Sequence, residues 1–140
     1  MNSQYRFMPQ RTDFIIIDDD PINNKLCHLS IKKTIPEAYI RTFTNPEEGL
    51  KYLEEVFSVA EKNNTILYLD INMPEMNGWE FMEEFEKFNP EVRNLVKVYI
   101  LSSSVNPHDK DKAKTNQNIT DYIIKPLTTD AIRENVNSLD

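Results

Sequence analysis

Ile66-Leu67-Tyr68-Leu69-Asp70-Ile71-Asn72-Met73-Pro74-Glu75-Met76-Asn77-Gly78-Trp79 sets one carboxylate at the mouth of an apolar strand. Four strand-forming residues precede Asp70. A loop rich in Pro, Asn and Gly follows and hands over to the helical spacing of Phe81, Met82, Phe85 and Phe88. A strand that ends in Asp and then turns sharply delivers the carboxylate to the C-terminal edge of a sheet. In open α/β sheets that edge is where ligands bind.

The arrangement recurs at three other places. Phe14-Ile15-Ile16-Ile17 runs into Asp18-Asp19-Asp20, Val98-Tyr99-Ile100-Leu101 into Ser102, and Tyr122-Ile123-Ile124 into Lys125-Pro126. Each apolar run ends in a residue suited to phosphate or metal chemistry, so four strand ends converge on one site. Asp18, Asp19 and Asp70 then lie close enough to repel one another, which favours a bound hard cation. Mg²⁺ takes oxygen ligands and keeps several waters, so one or two carboxylates and a carbonyl suffice. A carboxylate can also attack phosphorus and form an acyl phosphate.

At 140 residues, with 39% hydrophobic and 28% charged residues, the chain has the size and composition of one globular domain. Its formal net charge of −7 disfavours direct contact with nucleic acid, whose phosphates need a basic face. No apolar run is long enough to enter a membrane as a helix, and the first residues lack the apolar core of a signal peptide. The single cysteine, Cys27, permits no internal disulfide, in keeping with a cytoplasmic protein.

In chain order, residues 1–12 show no period and read as a lead-in to a domain over 13–140. The continuous apolar run at 14–17 reads as a parallel strand covered on both faces, and as the central one. Pro21 opens a helix whose stripe is Ile22, Leu26 and Leu29. Tyr39–Phe43 is a more polar, edge-like strand. Asn45-Pro46 caps a helix with Leu50, Leu53, Phe57 and Ala60 on one face. After the third strand and helix, Asn89-Pro90 breaks the chain before a strand at 97–101. Asn106-Pro107 caps the fourth helix, Pro107–Thr115, where Ala113 is the only clear core candidate; it reads as short and mobile. Asn118, before the last strand, is suited to a left-handed backbone. Leu127, Ala131, Ile132, Val136 and Leu139 make the closing, fifth helix. Strands alternating with helices give a parallel sheet covered on both faces. There is no internal repeat and no low-complexity tract.

Together these residues resemble the receiver domain of two-component response regulators, over roughly residues 13–140. The D-x-x-M-P-x-M-x-G string at 70–78 is the most specific element, followed by Lys125-Pro126. The resemblance implies a flavodoxin-like five-stranded sheet in the order 2-1-3-4-5. It implies a signalling phosphoacceptor rather than an enzyme, one that assists its own phosphorylation and dephosphorylation and is similar to the stand-alone chemotaxis type. Asp70 is the implied phosphorylation site, served by Ser102 and Lys125. Asp19 and Asp70 are implied as direct Mg²⁺ ligands, with Asp18 acting through water, the Asn72 carbonyl completing the set, and Asp20 outside it.

Ser102 and Tyr122 are implied as switch residues, with the small Ser103 leaving room for the ring. The phosphoryl donor is implied to be a histidine kinase or histidine phosphotransfer protein. A downstream output protein would bind the fourth helix, fifth strand and fifth helix. Two other readings stay open. One is a haloacid dehalogenase-like aspartyl phosphatase, although Asn72 stands where such enzymes carry a second Asp for acid catalysis. The other is a pseudo-receiver that serves only as a scaffold. Trp79, Phe81, Phe85 and Phe88 read as core, His28 and His108 have no partners at ligand spacing, and Cys27 reads as helix packing.

Overall fold

A computed structural model describes residues 12–59 and 63–139. Its elements are β1 (Asp13–Ile17), α1 (Pro21–Thr34), β2 (Tyr39–Phe43), α2 (Pro46–Val59), β3 (Thr65–Leu69), α3 (Gly78–Phe85), α4 (Pro90–Leu95), β4 (Val96–Ser102), α5 (Pro107–Thr115), β5 (Ile119–Ile124) and α6 (Thr129–Asn137). The five strands are parallel in the order β2-β1-β3-β4-β5, the flavodoxin-like arrangement. The middle position belongs to β3, buried at every residue, and not to β1, which is interior but one place off centre.

The unbroken apolar runs are explained by two separate cores. Successive side chains on a strand point to opposite faces. Ile15, Ile17, Leu67, Leu69, Val98 and Ile100 pack with Leu53, Phe81, Met82 and Phe85. Phe14, Ile16, Ile66, Tyr68, Tyr99 and Leu101 pack on the other face with Cys27, Ile31, Leu127 and Ile132. Leu127 and Leu139 belong to that second core but flank α6, which is shorter than the stripe suggested. Leu53 is fully buried and Leu50 packs against it; the Phe57 side chain, Ala60 and residues 1–11 of the lead-in lie outside the described residues.

Three local expectations are corrected. The stripe Ile22, Leu26 and Leu29 does not face the core: these residues are 70%, 56% and 54% exposed, and α1 buries Asn24, Cys27 and Ile31 instead. At about 100° per residue the two sets lie roughly 180° apart on the helix. Asn89-Pro90 is not a plain break but the cap and first residue of α4, with Asn89 Oδ1 accepting from Glu91 N at 2.9 Å. The helix expected as the fourth is therefore α5. Asn118 is not left-handed, since no described non-glycine residue has positive φ; its N–H instead turns onto Asn116 Oδ1 at 2.8 Å.

Asn135 on α6 is buried, and its Oδ1 accepts from the Tyr68 hydroxyl at 2.7 Å. That bond joins the middle strand to the last helix inside an otherwise apolar layer. Tyr68→Phe leaves the amide oxygen short of a donor in a place water does not reach. The expected cost is about 1–2 kcal/mol, read as a lower urea midpoint at an unchanged slope.

Candidate functional site

Parallel register brings the acidic residues together. Ile17 pairs with Leu69, so Asp18 and Asp70 each stand one step beyond aligned residues, and Asp70 N–H extends the ladder to the Ile17 carbonyl at 2.9 Å. Carboxylate oxygens of Asp18, Asp19 and Asp70 lie within 4.8 Å of one another, with Asp18 and Asp70 buried and Asp19 exposed. Asp20 is outside the cluster and caps α1, its Oδ1 accepting from Ile22 N at 2.9 Å. Three hard oxygen donors at this spacing fit a small divalent cation such as Mg²⁺.

Lys125 reaches the cluster from the end of β5. Its Nζ lies 2.7 Å from Asp18 Oδ2 and 3.9 Å from Asp70 Oδ1. Burial alone would lower the pKa of this lysine, but the Asp18 hydrogen bond and the charges of Asp70 and Asp18 outweigh it and hold the ammonium charged. Asp18 is further held by Asp20 N–H at 2.8 Å and by Asn23 Nδ2 at 2.7 Å. Asn24 donates to the Asp18 carbonyl at 2.9 Å. Neither asparagine stood out in the sequence; their signal was a polar pair on the helix turn directly after the acidic run.

Asp70 has fewer partners. Asn72 N–H donates to its Oδ1 at 3.3 Å, and the Asn72 side chain is exposed. Burial above all, then the Asp18 charge, pushes the Asp70 carboxyl up to about 6, against the pull of Lys125 and the Asn72 N–H. Gly78 explains the close of the motif. A Cβ there would stand 2.8 Å from Ile71 Cα and 3.0 Å from the Asp70 carbonyl, where the start of α3 folds back on the loop.

Ser102, at the end of β4, is fully buried, and its Oγ accepts from Ser104 N–H at 3.0 Å. Its carbonyl accepts from Lys125 N at 2.9 Å, which ties the two strand ends. Tyr122 is half-buried, with its hydroxyl on the Ser104 carbonyl at 2.9 Å, while Ser103 is exposed. Among the described residues no histidine joins an acidic or thiol cluster of metal-binding spacing. Cys27 is a buried free thiol, pushed up to about 11 by burial and by Asp18.

The raised Asp70 pKa fixes a sign. Between about pH 4 and 6 the folded chain holds a proton on Asp70 that the unfolded chain releases, so the native state loses stability as pH rises through that window. In the presence of a chelator, Asp70→Asn is expected to melt roughly 3–6 °C above the wild type above about pH 7. The gap should close as pH falls to about 4; a gap that is absent at neutral pH, or that widens in acid, contradicts the charge assignment.

The sequence model of the response regulator receiver domain matches residues 14–137. A two-component response regulator from Cytophaga hutchinsonii, known as a crystal structure, superposes with a TM-score of 0.85 at 31% identity, covering 94% of this chain and 98% of that one. A response regulator receiver protein from Dyadobacter fermentans gives a TM-score of 0.83 at 27% identity, covering 91% and 97%. The transcriptional regulatory protein ZraR of Klebsiella oxytoca is 29% identical over 124 residues, which is 89% of this chain and 25% of that protein. The chain spans 25% or less of the length of the curated relatives it matches. The strand order, the paired acidic strand ends and the lysine after the last strand thus meet a direct family match: the chain belongs to the response regulator receiver domain family of two-component systems.

Proposed function

We propose that this chain is a phosphoacceptor switch, phosphorylated on Asp70 by a histidine kinase or a histidine phosphotransfer protein. The observation that carries the reading is the placement of Asp70, buried at a strand end with two carboxylates and one ammonium around it and few partners of its own. An Asp70 oxygen attacks phosphorus, the P–N bond to the donor imidazole breaks, and its electron pair stays on the ring nitrogen, which takes up a proton. Asp19, Asp70 and the Asn72 carbonyl would hold Mg²⁺, with Asp18 acting through water. The ion supplies neutralisation of the charge on the transferring group. Lys125 moves its ammonium from Asp18 toward a phosphoryl oxygen on Asp70, and the Ser102 hydroxyl donates to another. The net result is signalling in the cytoplasm without turnover of a substrate.

The donor docks on α1. Ile22, Leu26 and Leu29 form an exposed apolar stripe on the helix that begins three residues after Asp18. Such a stripe beside a site is a binding surface, not core. An output protein binds α5, β5 and α6. There a groove of about 330 Å³ is lined by Lys110, Ala113, Ile119, Tyr122 and Ile124. Tyr122 differs in its packing between the two states and so makes that face state-dependent.

The test uses two phosphoryl sources. With acetyl phosphate and Mg²⁺, intact-protein mass spectrometry should show one added phosphoryl group that maps to Asp70 and is missing in Asp70→Asn. Accumulation of the Asp70 phosphoprotein separates the switch from the scaffold reading, and phosphate release too fast for that phosphoprotein to accumulate would favour the phosphatase. Leu26→Glu should label normally from acetyl phosphate yet accept phosphoryl from a protein phosphohistidine donor at least about tenfold more slowly. Labelling at another residue overturns the site, and equal donor rates overturn the docking face.

A further inference from the structure

Helix α5 has almost nothing to hold it by burial, because Ala113 is its one buried residue. Beyond that residue and Lys112 Nζ over the Trp79 ring at 4.9 Å, its position depends on how its first turn is capped. The cap is unusual when set beside that of α3. There, Asn77 and Glu80 close a direct capping box: Asn77 Oδ1 accepts from Glu80 N at 2.8 Å, and Glu80 Oε1 accepts from Asn77 N at 2.9 Å. In α5 the N-cap is Asn106 and the acidic residue at the equivalent third position is Asp109. Their direct bond is replaced by a relay. Asn106 N–H donates to Ser104 Oγ at 3.2 Å, and the Ser104 hydroxyl donates to Asp109 Oδ2 at 3.1 Å.

The same residue is bound on its other sides to the site. Ser104 N–H donates to Ser102 Oγ at 3.0 Å, and the Ser104 carbonyl accepts from the Tyr122 hydroxyl at 2.9 Å. A hydroxyl has one proton to give, and here it is committed to Asp109. The tyrosine bond uses a carbonyl that any residue would present. The side-chain link is particular to a small hydroxyl residue at 104 and a carboxylate at 109.

We propose that Ser104 is the positioning residue through which the state of Ser102 sets the first turn of α5. When Ser102 Oγ turns away from the Ser104 N–H, the Ser104 peptide loses its anchor. Its hydroxyl then leaves the line between Asn106 and Asp109. The first turn of α5 keeps the Asn106 carbonyl, which accepts from Asp109 N at 3.1 Å and Lys110 N at 3.3 Å, and the Asn106 Oδ1 cap on His108 N at 2.9 Å, but loses the link that ties the cap residue to Asp109. With so little apolar burial, that loss is enough to let the turn open. This deepens the switch reading and rests on it for what moves Ser102, but the link can be measured without any phosphoryl group.

The measurement is amide hydrogen exchange at residues 108–111 of the full chain, unphosphorylated. Ser104→Ala should speed exchange there by about threefold to tenfold, the range expected for loss of one hydrogen bond from a local opening. Ser104→Thr should restore protection. Ser102→Ala should speed exchange at the same amides in the wild-type background and add nothing in the Ser104→Ala background. Asp109→Asn, which keeps the shape of the side chain, reads the link from the helix and should likewise add little to Ser104→Ala. Additive effects of Ser102→Ala and Ser104→Ala, or unchanged exchange in Ser104→Ala, would overturn the inference. Failure of the switch reading itself would show separately, as absence of acetyl phosphate labelling on Asp70.

Discussion

Lys125 Nζ sits 2.7 Å from Asp18 and 3.9 Å from Asp70, and this uneven sharing of one ammonium among carboxylates governs the strand ends. Two buried carboxylates and an exposed third cannot all be balanced by a single cation, and Asp70 is the one left short. Asp18 is tied by a backbone N–H, an asparagine amide and the lysine; Asp70 has one long N–H bond. A group held in an unfavourable charged state at a strand end has the perturbed environment that functional sites concentrate. Relief comes by adding positive charge or by converting the carboxylate into something else.

The fold serves this imbalance through register. Because β1 and β3 are adjacent and parallel with Ile17 opposite Leu69, the next residue of each strand must be Asp18 and Asp70, side by side. The β4 to β5 pairing sets Ser102 opposite Ile124, so Lys125 follows one residue beyond and its N–H donates to the Ser102 carbonyl at 2.9 Å. Shifting any one pair by a residue would turn its functional side chain to the other face of the sheet. The apolar strands are therefore not merely a core; their alignment is the geometry of the site.

Most of that was legible because strands covered on both faces read as unbroken apolar runs, and each ended in a residue of distinctive chemistry. The cap signals also carried well: Asn45 and Asn106 both sit where a helix begins. The same Asn-Pro signal at 89–90 opens a helix of only six residues, too short to carry an apolar stripe that marks it in the sequence. The larger misreading was α1. Apolar spacing says which residues share a face, not whether that face is inside, and here the inward face joins Cys27 and Ile31 to Asn24, whose amide donates to the carbonyls of Asp18 and Phe43. Ser104 was invisible for a different reason: a third serine in a run of three has no pattern, and its role exists only in the contacts it makes.

The central claim is that the acidic cluster is short of positive charge and that Lys125 competes for it with a divalent cation. Calorimetric titration of Mg²⁺ into the wild type, Asp70→Asn and Lys125→Ala tests this most directly. One Mg²⁺ should bind the wild type, at least about tenfold more weakly to Asp70→Asn, and more tightly to Lys125→Ala, where Asp18 has lost its competing ammonium. Absence of binding to the wild type, or weaker binding to Lys125→Ala, would contradict the account.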